Sequence, residues 1–325
     1  MNPLSHRIHR VPASAHHFLD AAHVDDPSAQ SAPSAPLSVL RRAVLAAGVA
    51  LAAGLPVVSA AQPQTLTIGL IPAEDSQAMI ESSRQVLDAL QQQLGMPVKP
   101  FVATDYNGVI EALRSKKLDV AYLGPFSYVL ASSVANVEAF AVAVTRKTGQ
   151  SAYKSVILAR KDSGVHTVAE LKGKNFAFVD PSSASGHLFP KAGLQAAGYD
   201  PDALFGRVLF SGSHDASILA VANRKVDAAA VADRIFASAV AKGTVKQDDF
   251  VVLWSSKPIP ESPMVWRKDL DPALKEKIAK ALANLKDVKW GDQGVLNGFQ
   301  PTSDAAYDVV RDTAKVLKLD LRSMK

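Results

Sequence analysis

Short apolar runs alternate with longer amphipathic ones along most of this 325-residue chain, and that alternation limits its architecture more than any other feature. Leu66, Ile68 and Leu70 begin a strand. The run after it carries Met79, Ile80, Val86, Leu87, Leu90 and Leu94 at helical spacing, is capped by Ser76 and stops at Gly95 and Pro97. A strand at 98–103, a helix at 106–116 and a strand at 119–123 continue the pattern. A second set follows: strand 153–159, a short helix at 168–171, strand 175–179, a helix after a serine cluster, strand 207–210, helix 216–223 and strand 227–231. Beyond these, 250–254 reads as a strand and 272–285 and 305–317 as helices. Strands separated by helices need crossover connections, so the expected class is α/β with largely parallel sheets. No repeat of solenoid length is visible.

The amino-terminal fifth has a different character. Arg41 and Arg42 precede an Ala/Leu/Val-rich stretch from Ala43 to Val58, followed by the small residues Ser59, Ala60 and Ala61. This is the pattern of a signal peptide, with cleavage expected after Ala60 or Ala61. Gly48, Gly54 and Pro56 interrupt the stretch, and it falls short of the roughly 20 apolar residues of a spanning helix. Residues 1–36, rich in Ala, Ser, Pro and His, are expected to be a leader or to precede a later true start. The expectation is therefore leader plus signal over 1–61, with the signal at about 37–61. Five of the eight histidines (His6, His9, His16, His17 and His23) lie in that segment.

The chain has no cysteine, which excludes disulfides, thiolate metal sites, a cysteine nucleophile and a lipoprotein's lipid attachment. An exported protein of this kind is expected free in the periplasm. Without 1–61, which hold four arginines and three aspartates, 32 basic and 28 acidic side chains remain, a net charge of +4. The basic residues are dispersed, so the balance suits a small anion and not nucleic acid.

One local motif carries chemistry. Asp180-Pro181-Ser182-Ser183-Ala184-Ser185-Gly186 lies between the strand-like 175–179 and a helix-like run from His187. A helix start offers unpaired backbone N–H groups, serines add hydroxyls, and a glycine permits close approach, which together suit a tetrahedral anion. Serine and aspartate at a helix start also serve as ordinary caps, so the motif by itself leaves both readings open.

Several motifs in order resemble the phosphate, phosphite and phosphonate substrate-binding proteins of ABC importers. They are Leu66-Thr67-Ile68-Gly69-Leu70-Ile71-Pro72, the segment from Asp105 to Leu113, Leu118-Asp119-Val120-Ala121-Tyr122-Leu123-Gly124-Pro125, the serine motif, Ser211-Gly212-Ser213-His214, and Val226-Asp227-Ala228-Ala229. The likeness runs from about Thr65 to Lys286. It implies a two-lobe, type II-like periplasmic binding protein fold with two crossing hinge segments and the ligand in the cleft between lobes. Lobe one would comprise 62–147 with 247–325, and lobe two 148–246. The implied role is to bind a phosphorus oxyanion and present it to an ABC permease and its ATPase, as a monomer, with no catalytic residue, cofactor or metal.

Carried over by position, the resemblance implicates Ser183, Ala184, Ser185 and Gly186 in the cradle, His214 in the next loop, and the phenols of Tyr106 and Tyr153. Tyr122, Ser127 and Tyr128, near another strand end, are further candidates. Where the family's cradle has Ser-Thr-Ser, this chain has Ser183-Ala184-Ser185, one hydroxyl fewer. An ammonium-bearing phosphonate would need a carboxylate, for which Asp233 and Glu261 are the candidates. Two alternatives share the fold: a receptor for another small anion or heterocycle, such as a sulfonate or an amine precursor, and a sensory protein feeding a membrane kinase. A hydrolase fits less well, because the chain lacks Gly-x-Ser-x-Gly and His-Glu-x-x-His.

Overall fold

The computed structural model describes residues 65–146 and 149–324; the expected leader and signal lie outside them. Two sheets organise the chain. Strands β1 (Leu66–Leu70), β2 (Val98–Val102), β3 (Val120–Tyr122), β4 (Val137–Thr145), β12 (Pro263–Arg267) and β13 (Leu296–Pro301) form the first, in the order β13-β4-β12-β3-β1-β2. Strands β6 (Ser155–Arg160), β7 (Asn175–Phe178), β8 (Arg207–Phe210), β9 (Ala228–Ala232) and β10 (Phe250–Ser255) form the second, ordered β10-β6-β9-β7-β8. The remaining pair, β5 (Ala152–Tyr153) and β11 (Ile259–Pro260), is antiparallel and lies on the two segments by which the chain passes from one sheet to the other. The result is a two-lobe α/β molecule with its crossings side by side.

The sheets are mixed, which corrects the expectation of largely parallel ones. β1 runs parallel to β2 and β3, and β7 to β8 and β9. Every pairing of β4, β6, β10, β12 and β13 is antiparallel. β4, β6, β10 and β12 flank the crossings, and β13 adds to β4 at the edge of the first sheet. Crossover helices set direction only where successive strands stay in one sheet, so periodicity was silent about them. β10 pairs with β6, so the chain leaves the second sheet after Ser255.

Helix limits follow local chemistry. In α1 (Ser76–Leu94) the cap is Asp75, one residue before the expected Ser76; its Oδ1 accepts the Ala78 N–H at 2.9 Å, and Gly95 ends the helix at φ 66°. Asp105 caps α2 (Tyr106–Arg114) through the Gly108 N–H at 2.7 Å. α3 (Pro125–Val134) is buried from Pro125 to Ala131, apolar on every side, so it carries no amphipathic signal. The others are α4 (Phe189–Ala196), α5 (His214–Ala222), α6 (Asp233–Ala241), α7 (Pro272–Ala283) and α8 (Asp308–Val316). Both faces of Ala-Ala-Ala-Val-Ala in β9 are buried, as a central strand covered on both sides requires.

One apolar cluster joins the lobes. It contains Ile71, Tyr106 and Phe126 from the first and Ala177, Ile218 and Val231 from the second. Polar contacts reinforce it: the Ser127 hydroxyl donates to the Ser182 carbonyl at 2.9 Å, and the His214 N–H to the Ala73 carbonyl at 2.9 Å.

Candidate ligand-binding site

Beyond the end of β7, Asp180 turns the chain: its Oδ1 accepts the Ser182 N–H at 2.7 Å and its Oδ2 the Tyr106 N–H at 3.4 Å. Ser183 is extended (φ −83°, ψ 129°) and its Oγ accepts the Gly186 N–H at 3.0 Å. Ala184–Leu188 then form a π-helical turn that leads into α4. Its ladder begins with Leu188 donating to Ser183 O and Phe189 to Ala184 O, so the N–H groups of Ala184 and Ser185 lie ahead of it. Gly186 lets this turn press on the strand end: a Cβ there would sit 2.4 Å from Cβ and Cγ2 of Val179. Ser183, Ala184 and Ser185 face a small cavity between the lobes, with Gly186 behind them.

Tyr106, Tyr122 and Tyr153 also line that cavity. All three phenols are buried. Burial, joined by the charge of Asp180, raises Tyr106 well above the ordinary phenol range, and burial pushes Tyr122 up to about 12 and raises Tyr153. Each therefore keeps its proton and can donate it. The Ser183 hydroxyl lies near the Tyr106 phenol and the Ser185 hydroxyl near that of Tyr153, each offsetting part of the rise that burial causes. Tyr122 accepts from Gln293 Nε2 at 2.6 Å, while Trp290 meets its ring edge-on at 5.2 Å. The Trp290 indole N–H, buried on the cavity wall, has no acceptor among the described residues.

His214 opens α5 and is buried against the same cavity. Its Nδ1 accepts the Ala232 N–H at 3.1 Å, which leaves the proton on Nε2 and makes the neutral ring a donor. Burial first, and the nearby Arg234 second, push its pKa down to about 3. A histidine with a folded pKa below its unfolded value gives stability that is full above about 6.5 and is lost as pH falls toward the folded value. The melting-temperature gap between wild type and His214→Gln should therefore widen as pH rises from 4.5 to 7. A calorimetric gap independent of pH would show that the buried ring takes up a proton.

The cavity also contains charge. Arg234, the second residue of α6, contacts Asp292 and lies 3.3 Å from Glu261 Oε1, with its guanidinium 4.7 Å from the centre of the Tyr153 ring. Burial works against its charge, but the carboxylates of Glu261 and Glu74 help to compensate, so Arg234 stays protonated. Glu74, on the wall, is paired with Lys242 at 3.4 Å, and burial raises its pKa despite that partner.

Ser183, Ala184, Ser185, His214, Tyr106, Tyr122 and Tyr153 thus meet at one cavity; of the other five expected residues, Gly186 lies behind the cradle and four more do not line it. Asp233 serves the turn, its Oδ1 accepting the N–H groups of Lys154 at 3.0 Å and Arg234 at 2.8 Å. Adjacent helical residues point about 100° apart, so Arg234 enters the cavity and Asp233 does not. Ser127 ties α3 to the cradle loop, and Tyr128 donates to Asp304 at 2.5 Å, packed on Tyr307. Glu261 lies behind Arg234, in the outer cleft beyond the cavity, with its Oε1 accepting the Ser262 N–H at 2.8 Å. Sequence reading missed Arg234, Asp292, Glu74 and Trp290. For Arg234 a local signal existed: a charged residue just past the wholly apolar β9. Among the described residues no cluster of three or more His, Asp or Glu is arranged to hold a metal.

The family model for ABC transporter phosphonate periplasmic substrate-binding proteins matches residues 68–307. The phosphate-import protein PhnD of Mycolicibacterium smegmatis is 32% identical over 277 residues, covering 78% of this chain and 86% of that protein. The phosphonates-binding periplasmic protein of Escherichia coli is 33% identical over 221 residues, covering 67% of this chain and 65% of that protein. Among solved structures, a binding protein component of an ABC phosphonate transporter from Pseudomonas aeruginosa superposes with a TM-score of 0.70 at 30% identity, covering 77% of this chain and 85% of that one.

Proposed function

The chain belongs to the family of ABC-transporter phosphonate periplasmic substrate-binding proteins, and from that premise we propose that it binds a phosphonate, phosphite or related phosphorus oxyanion, unchanged, for delivery to a membrane permease and its ATPase. One observation supports the reading: beside its paired charges, the cavity wall brings together neutral hydrogen-bond donors from both lobes. The cradle contributes Ser183, Ser185 and the N–H groups of Ala184 and Ser185; His214, Tyr106, Tyr122 and Tyr153 add ring donors. Hydrogen bonds to an anion are worth about 1.5–3 kcal/mol each, so four of them support micromolar or tighter binding after the cost of association.

The same geometry argues for binding and against hydrolysis. A serine nucleophile needs a base, yet the His214 Nδ1 lone pair is held by the Ala232 N–H and its other nitrogen carries the proton. Ser183 Oγ in turn holds the Gly186 N–H. The lobes divide in this reading at the β5 and β11 crossings, about 65–150 with 261 onward against 155–255, and the receptor works as a monomeric periplasmic shuttle after loss of the signal segment. Lobe closure brings Tyr106 and Tyr122 onto an anion already seated on the cradle, so contacts made only when shut favour the closed population.

Titration calorimetry with phosphite, methylphosphonate, phosphate and sulfate tests the ligand class. At least one phosphorus oxyanion is expected to bind with a Kd of about 1 μM or tighter. If none does, the reading fails.

A further inference from the structure

The cavity has three carboxylates at or just behind its wall, and each already has a cation from the protein. Glu74 has Lys242, while Asp292 and Glu261 share Arg234. Arg234 and Asp292 border both the inner cavity and the wider cleft outside it, and Glu261 borders that outer cleft. The Arg234–Asp292 pair therefore divides one space from the other. Its guanidinium nitrogens Nε and Nη1 are buried and it is seated over the Tyr153 ring, so it fills the end of the cavity that faces the outer cleft.

A ligand ammonium could reach Asp292 and Glu261 only by displacing this side chain. A second cation beside a retained guanidinium would suffer repulsion that a buried wall screens poorly. We propose that Arg234 is a specificity-determining residue, a resident counter-cation standing where a ligand's ammonium would otherwise sit, so that the receptor selects phosphorus oxyanions with an uncharged substituent over those ending in an amine. This rests on the phosphorus-oxyanion reading above. It assigns to Arg234 the role that Asp233 and Glu261 suggested from sequence, with the sign reversed: the carboxylates are present, but the protein neutralises them itself.

The test compares two ligands of nearly equal shape, propylphosphonate and 2-aminoethylphosphonate, which differ in whether the chain ends in a methyl or an ammonium. Wild type should bind propylphosphonate roughly tenfold or more tightly than the amine, about 1.4 kcal/mol. Arg234→Ala frees Asp292 and Glu261 and should shift the ratio of the two affinities toward the amine by roughly tenfold or more. Adding Glu261→Gln and Asp292→Asn to that variant should abolish the shift. Equal affinities in wild type, a wild-type preference for the amine, or an unchanged ratio in Arg234→Ala would each overturn the proposal. If the variant does not fold, the wild-type pair alone decides. Failure of propylphosphonate, methylphosphonate and phosphite alike to bind wild type would instead sink the functional reading, which separates the two failures.

Discussion

Replacing both Ser183 and Ser185 by alanine should weaken oxyanion binding by roughly a hundredfold or more, since two charge-assisted hydrogen bonds are lost at about 1.5–3 kcal/mol each. The two positions differ in a way calorimetry and thermal melting together can read. Ser183 Oγ also caps the Gly186 N–H at 3.0 Å, so Ser183→Ala should cost stability as well as affinity, about 1 kcal/mol for a lost cap. Ser185 contributes to the fold mainly through its carbonyl, which accepts the Ser155 hydroxyl at 2.6 Å. That bond survives Ser185→Ala, so this variant should lose affinity with little change in melting. Wild-type affinity in the double variant would show that the hydroxyls do not face the ligand.

Gly186→Ala is the most damaging single methyl expected in the site. The added Cβ would stand 2.4 Å from two carbons of Val179 and 2.9 Å from Ser183 Oγ, distances that real side chains do not tolerate. Gly186 and Val179 are themselves tied by the Val179 N–H to the Gly186 carbonyl at 3.0 Å, so the turn cannot slide away without breaking that bond. Overpacking of this kind costs about 1–3 kcal/mol. The displaced turn carries the cradle's N–H groups, so affinity should fall along with stability. Chemical denaturation and calorimetry on the same variant check both. Wild-type values in each would mean that the loop relaxes freely, against the close seating of the π-helical turn on β7.

The cradle was legible because it is local. Asp180 to Gly186 sit within a single turn, and strand end, cap, hydroxyls and glycine follow one another directly along the chain. His214 was legible for the same reason, at the start of a helix after the next parallel strand. β4, β12 and β13 were not: β12 begins at Pro263, β13 contains Gly298 and ends at Pro301, and β4 follows α3, whose uniform burial hides its own limits. Asp233 illustrates the limit of residue-type reasoning. A charged side chain was sought in the first turn of α6, but the helix turned Asp233 to the backbone of Lys154 and Arg234 inward.

By itself the sequence determined the parallel strands with their helices and the placing of Ser183–Gly186 and His214 at strand-to-helix junctions, because caps, helix starts and strand ends are set by neighbours a few residues away. Only the tertiary structure decided the antiparallel half of each sheet, the retirement of Tyr128 and Ser127 to the scaffold, and the joining of Arg234 to Asp292 and Glu261. Those outcomes depend on segments that meet only after the chain has crossed between lobes twice, and a buried charge takes its partner from whatever the completed fold brings beside it.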